Sequence, residues 1–312
     1  MLETSKTPEQ RAIHAVGIVA IGRNEGDRLR PCLRSIRHAS DRVVYVDSGS
    51  VDDSVELAHS FGVEVVELDP SRPFTAARGR NAGLDRVLAL WPDTRFIQFV
   101  DGDCELDPSW IGAALATFVS APDVAVVCGR RRERYPERTV FNWLCDIEWS
   151  GAAGLVDTCG GDALMRVQPL LAVNGYTEEL IAGEDDDVCY RIRRQGWQIL
   201  RLDDEMTLHD IAMTTIQQWW QRNRRSGHAG AESWRRRGHD DPRLAKIIVS
   251  NLLWGLPPFW LFWPFLWWRV YRRSGALYAT HIVLGKVPHC VGQLSFLWRS
   301  ARGRKMALIE YK

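Results

Sequence analysis

A chain of 312 residues with 46% apolar and 25% charged side chains has the composition of a folded globular protein, which excludes extended disorder. Seven cysteines, an odd number without a CxxC pair, exclude a disulfide framework and a zinc ribbon and read as reduced thiols of a cytosolic compartment; the polar stretch Met1–Arg11 lacks the apolar core of a signal peptide. The net charge of +1 conceals a division: from Trp219 onward 17 Lys+Arg face 4 Asp+Glu and 9 of the 14 tryptophans are gathered, whereas the residues before it carry 23 against 35, so the tail is suited to an anionic surface, phospholipid or nucleic acid.

In chain order, continuous apolar runs predict buried strands at Val16–Ile21, Val43–Val46, Val63–Leu68, Phe96–Val100 and Val124–Val127. Between them, Asp27–His38 and Ser54–Phe61 carry apolar residues at helical spacing. Strands alternating with helices predict an α/β domain with a mostly parallel sheet, whose ligands bind beyond the carboxyl ends of the strands. The residues there are polar and acidic: GRNEG (Gly22–Gly26) after the first strand, DSGSVDDS (Asp47–Ser54) after the second and DGDCEL (Asp101–Leu106) after the fourth. No GxGxxG follows the first strand, which argues against a dinucleotide-dependent oxidoreductase. In DGD, carboxylates at i and i+2 of an extended segment project to one side, a geometry suited to a divalent cation bridging a diphosphate.

These pieces, in this order, resemble the family 2 glycosyltransferases of the GT-A fold from Val16 to about Gly227. VAIGRNE (Val19–Glu25) is similar to the family's opening strand and Asn-Glu turn, and VVYVDSGSVDDS to its strand ending in Asp before a Gly-Ser-x-Asp turn. ARGRNAG (Ala77–Gly83) resembles the Ala-Arg-Asn-x-Gly helix, DGD the Asp-x-Asp motif, and GEDDDVCYR (Gly183–Arg191) the Glu-Asp-x-Asp-Leu segment that supplies the general base. The resemblance implies a nucleotide-sugar site containing Asn24, Glu25, Asp47 at the nucleobase, Arg78, Arg80, and Asp101 at the ribose and metal. It also implies Asp103 as ligand of Mg²⁺ or Mn²⁺, and Asp185 as base with Glu184 as fallback. Ser48 stands where a second Asp is common in the family.

His209, in EMTLHDIAM, follows an apolar segment after the base, where similar enzymes return a metal-binding histidine, and imidazole suits Mn²⁺. The acids Glu184–Asp187 repel one another, which raises at least one pKa, and Asp187 also suits the first turn of a helix. In GGDALMR (Gly160–Arg166), Asp162 is placed either on sugar hydroxyls or in a turn before a helix. QQWWQRNRRSGH (Gln217–His228) is loosely similar to the Gln-x-x-Arg-Trp segment of membrane-bound relatives, and its Arg222 and Arg225 suit a diphosphate and a phospholipid head equally.

Ile247–Trp268 is 22 residues without a charge, long enough to cross a bilayer. Pro257 and Pro258 interrupt it, its tryptophans are spread along it, and both flanks are positive, which predicts a re-entrant hairpin or a pair of in-plane helices. The domain plan is therefore an N-terminal extension (1–14), a GT-A domain (15–218) and a basic, Trp-rich, membrane-associated region (219–312). The function expected is metal-assisted, inverting transfer of a sugar from a nucleotide diphosphate to a hydroxyl of a lipid-linked or polymeric saccharide at the cytoplasmic membrane face, with membrane lipids as partner. A scaffold that keeps the fold without transfer is the second reading, opposed by the intact acids. Nucleic-acid binding through Arg235–Arg237 beside Trp234 is the third and is not expected.

Overall fold

The computed structural model describes residues 14–237 and 241–302, so the N-terminal extension lies outside the described residues except for His14. The apolar runs become β1 (Val16–Gly22), β2 (Val43–Asp47), β3 (Glu64–Glu67) and β4 (Phe96–Asp101), all hydrogen-bonded in parallel in the order β3-β2-β1-β4. Helices supply the crossovers that parallel pairing needs: α1 (Leu29–Ala39), α2 (Ser54–Ser60) and α3 (Ala76–Leu90). Helix α1 buries Leu29, Cys32, Leu33 and Ile36, the i, i+3, i+4, i+7 stripe of a helix lying on a sheet. Thr75 caps α3 by accepting from the Arg78 amide at 3.1 Å.

Beyond β4 the sheet becomes mixed. After β5 (Cys104–Leu106) and α4 (Trp110–Ser120) comes the long β6 (Val124–Glu133). Then follow α5 (Val140–Trp149), β7 (Gly154–Leu155), β8 (Ala163–Arg166), α6 (Val167–Ala172), α7 (Glu184–Arg194) and β9 (Gln198–His209). Strand β8 pairs antiparallel with both β4 and β6, β9 runs parallel to β6, and β5 and β7 pair antiparallel with β9. Among the described residues this makes one nine-stranded sheet. Its core is packed from both halves, with Val19, Val44, Phe99, Val126, Leu164 and Met165 all but inaccessible. The seven cysteines are buried.

The chain forms two compact units. Of the described residues, the first holds those up to 135, 145–179 and 184–211, and so the whole sheet; the second holds 136–144, 180–183 and those from 212 on. In the second, α8 (Ile216–Arg237), α9 (Pro242–Gly255) and α10 (Trp263–Ala301) pack around Ala231, Leu244, Ile248 and Phe296. The indole of Trp219 donates to His281 Nδ1 at 2.8 Å. Helix α9 ends before Pro257, a 3₁₀ segment Pro257–Phe262 follows, and α10 is broken at Gly275, where φ is 80° and ψ 170°. Among the described residues no single helix is long and apolar enough to cross a membrane. The pair Pro242–Gly255 and Pro257–Ala301 meets that length and composition only jointly, bent by 91°.

Candidate active site

Polar side chains converge at the carboxyl ends of β1, β2 and β4, where parallel strands leave their ligand crevice. The first two loops are built from their own acids. Asn24, with a φ of 53°, accepts from the Val51 amide at 2.8 Å while its own amide donates to Ser50, so it staples the β1 loop to the β2 loop. Asp47, 2% exposed, accepts from the amides of Gly49 and Ser50 at 2.9 and 2.7 Å and from the hydroxyls of Ser50 and Tyr45. Those four bonds hold the Asp47 carboxylate in the turn after β2, the place where the resemblance expects a nucleobase. Glu25 is buried and pairs with Arg28 at 3.0 Å.

The DGD segment also departs from expectation. It is a turn between β4 and β5, not an extended stretch, so its acids meet different partners. The Gly102 amide donates to Ile21 O at 2.7 Å, bringing the chain so close that a Cβ at 102 would stand 3.1 Å from that oxygen. Asp101 accepts from Arg80 at 2.8 Å and Arg131 at 3.3 Å. Asp103, whose side chain is inaccessible, faces His209 Nε2 at 3.2 Å.

Two arginines join these acids to the others. Arg80, at 2% exposure the second-largest fully buried side chain, donates to Glu184 at 2.5 Å as well as to Asp101, tying the end of β4 to the first turn of α7. Arg131 on β6 pairs with Asp162 at 2.6 Å and lies over the Trp149 ring at 5.7 Å. Asp162 is fully buried; it accepts from the Asp101 amide at 3.0 Å and from Thr207 at 2.8 Å. Its carboxylate thus locks β4, β6 and β9 together. The guanidinium of Arg78 binds the carbonyls of Asp69, Arg72 and Pro73 and so holds the loop before α3. Arg222 and Arg225 stand on α8 of the second unit, where Arg225 donates to Ile181 O at 2.8 Å.

The α7 acids divide by neighbour. Asp187 pairs with Arg191 at 2.9 Å and accepts from Thr177 at 2.7 Å. Asp185 accepts from the Thr158 hydroxyl at 3.5 Å. Burial first, and then the charge of Glu184, push its pKa up to about 6, although Arg80 opposes them.

Four contributors escaped sequence reading: Arg131, Glu133, Trp149 and Thr207. Register explains the convergence of three of them, since Arg131 is opposite Thr207 and Glu133 opposite His209 on the β6–β9 ladder, which puts these side chains on one face, whereas Trp149 comes from the end of α5. The strand VAVVCG runs on through Gly129 into RRRE, so along the sequence the glycine and the charges conceal its continuation. Glu133 lies 3.8 Å from His209 Nδ1, and the Trp149 ring meets the imidazole edge-on at 4.7 Å. Burial disfavours a charged imidazole here, yet Asp103 and Glu133 outweigh it and raise the His209 pKa.

Asp103 and His209, with Cys104, bring donor atoms within 4.8 Å of one another; Asp101, Cys104 and Asp162 form a second such set. The first set fits a divalent cation better, because Asp162 and Asp101 are occupied by arginines. One carboxylate oxygen and one imidazole nitrogen suit Mn²⁺ or Mg²⁺ with substrate oxygens completing the shell. The buried Nδ1 of His209 makes no hydrogen bond and faces Glu133 at 3.8 Å, so the carboxylate acts on the ring through charge.

Residues 18–152 match the family model described as Glycosyl transferase family 2. The chain is 26% identical over 206 residues to the succinoglycan biosynthesis protein ExoA of Rhizobium meliloti, a match covering 62% of this chain and 61% of that one. It is 25% identical over 251 residues to the O-antigen chain rhamnosyltransferase RfbN of Salmonella typhimurium, covering 71% and 74%. Among solved structures, the mannosyltransferase PcManGT from Pyrobaculum calidifontis, in complex with GDP-Man and Mn²⁺, superposes with a TM-score of 0.62 at 16% identity, covering 91% of this chain and 87% of that one. Glucosyl-3-phosphoglycerate synthase from Mycobacterium tuberculosis, with Mg²⁺ and UDP, superposes at 0.52 and 19%, covering 75% and 84%. Both structural likenesses are of fold.

Proposed function

Because residues 18–152 match the family 2 glycosyltransferase model, we propose that the chain is a member of that family whose first unit transfers a sugar, with inversion, from a nucleoside diphosphate to an acceptor hydroxyl. The observation that carries this reading is the Arg80 bridge. It holds Asp101, beside the candidate cation ligands, and Glu184, next to the candidate base, on one buried guanidinium. The reaction requires a proton acceptor across the anomeric carbon from the departing phosphate, and Asp185, with a pKa near 6, is charged at neutral pH yet basic enough to take a proton. Asp103 and His209 would hold the divalent cation, which when bound neutralises charge on the leaving diphosphate. Arg131 and Asp162 keep the cluster aligned, and Glu133 and Trp149 keep the His209 ring in place.

The acceptor is proposed to be a lipid-linked or polymeric saccharide at the cytoplasmic membrane face. The relatives named for succinoglycan and O-antigen support the saccharide, and the basic, tryptophan-rich tail supports the membrane. Purified full-length protein, incubated with labelled UDP-, GDP- and dTDP-sugars, Mn²⁺ and a membrane extract, should transfer label from one donor class and stop on chelation. Label transfer that persists with EDTA, or full activity in Asp103→Ala, would overturn the cation-assisted mechanism.

A further inference from the structure

In the second unit, the segment between α9 and the break in α10 turns its large apolar side chains outward. Leu261 is 86% exposed, Phe265 60% and Phe262 57%, and Trp260, Trp268 and Tyr271 are also exposed. Surface residues of this size normally occur singly; a run of them on one short segment marks a place where water is displaced. The segment is pre-formed. Trp263 Nε1 donates to Trp254 O at 3.0 Å, the rings of Trp260 and Trp263 lie 5.3 Å apart, and Trp267 stacks on Tyr271 at 4.9 Å.

Charge selects what covers it. From Pro242 to Arg302 the sequence has no Asp or Glu, while Arg269, Arg272 and Arg273 follow directly on the apolar apex and Arg243 and Lys246 precede it. Arg272 lies over the Trp268 ring at 5.1 Å, an amphipathic pair with its cation at the border of the apolar patch. An apolar tip edged by cations alone complements a surface that is oily within and negative at its rim, which is an anionic phospholipid bilayer. Depth follows from geometry. Helix α9 has 14 residues, about 21 Å at 1.5 Å per residue and short of a hydrocarbon core of about 30 Å. The 91° bend prevents it from continuing in line with α10, and the Gly275 break interrupts α10 in turn.

We propose that residues 256–273 form a monotopic anchor that enters one leaflet of an anionic bilayer through Leu261, Phe262 and Phe265 and holds the headgroups with Arg269, Arg272 and Arg273. This deepens the membrane-face reading above by naming the contact surface and its lipid chemistry.

The test is flotation of the full-length chain with vesicles of phosphatidylcholine alone or mixed with phosphatidylglycerol. The wild type should float with the anionic vesicles, and Leu261→Glu/Phe262→Glu/Phe265→Glu should lose at least tenfold in partitioning on both compositions. Arg269→Gln, Arg272→Gln and Arg273→Gln should each weaken only the anionic preference, by roughly fivefold. Because these positions are exposed, circular dichroism and the melting temperature should not change, and the single variant Leu261→Glu should show a smaller loss in the same direction. Undiminished flotation of the triple glutamate variant overturns the anchor. So does conversion of a wild-type dimer to a monomer by that variant, which would make the patch a self-association surface. Transfer of labelled sugar to a detergent-solubilised membrane extract should persist in these variants: flotation without transfer would sink the reaction and leave the anchor standing, and transfer without flotation would do the opposite.

Discussion

Asp185 and Glu184 are neighbours at the start of α7, yet only Glu184 is neutralised by Arg80 at 2.5 Å. Asp185 therefore keeps an elevated pKa of about 6, for which burial is the first cause and Glu184 the second. Its protonation should give log kcat/KM an ascending limb of unit slope that levels above about pH 6. Asp185→Asn should lower turnover by about 10²–10⁴-fold and remove that limb. Stability should move the other way. The unfolded aspartate ionises near pH 4 and the folded one near 6, so the folded state binds more protons between those values and this group's contribution declines as pH rises through them. At pH 8 the asparagine variant should be as stable as wild type or more so, by about 1–3 kcal/mol. A marked loss of melting temperature at pH 8 would show that Asp185 is structural. His209 behaves differently, because its removal leaves Asp103 and Glu133 as buried carboxylates around a hole. His209→Ala should destabilise by about 2–4 kcal/mol in urea unfolding, with His209→Gln intermediate.

At the scale of elements, the loop before β8 limits the arginine bridge. A Cβ at Gly161 would stand 2.9 Å from both Arg80 Nη2 and Asp101 Oδ2, so Gly161→Ala must push the arginine bridge aside. Loss of kcat/KM by about 10–100-fold is expected, since ångström-scale misplacement of aligned groups has that cost. Gly112 on α4 is the control: nothing lies within 4 Å of its Cβ position, and Gly112→Ala should leave activity unchanged and stabilise by about 0.5–1 kcal/mol. Legibility follows the same elements. The parallel half could be read because β1, β2 and β4 are buried on both faces, which leaves uninterrupted apolar runs, and the acids at their ends stand out against them. Strands β6 and β9 could not be read fully. Their outer halves carry Arg130, Arg132, Asp203 and Glu205, which pair with one another across the ladder and look like loop residues along the sequence. The partners of Asp162 were obscured for a related reason: Arg131 and Thr207 lie 31 and 45 residues away along the chain, so the acid's type shows what it can bond but not what it meets.

For the whole molecule, the opposition of charges decides how a ligand acts. The sheet unit gathers Asp101, Asp103, Asp162, Glu184 and Asp185 around two buried arginines, Arg80 and Arg131, and so carries unneutralised negative charge at the crevice. A nucleoside diphosphate brings more negative charge, and without a cation the two repel. Nucleotide alone should therefore shift the melting temperature little, and so should Mn²⁺ alone. Together, at about a hundred times the dissociation constant, they should add about 2.7 kcal/mol, or roughly 5–10 °C for a unit of this size. Asp103→Asn should abolish that synergy while keeping the fold, because it removes one anionic cation ligand and preserves the shape of the turn. Independent, additive shifts from metal and nucleotide would mean that the acids are held by their arginines alone and that no cation joins them to the donor.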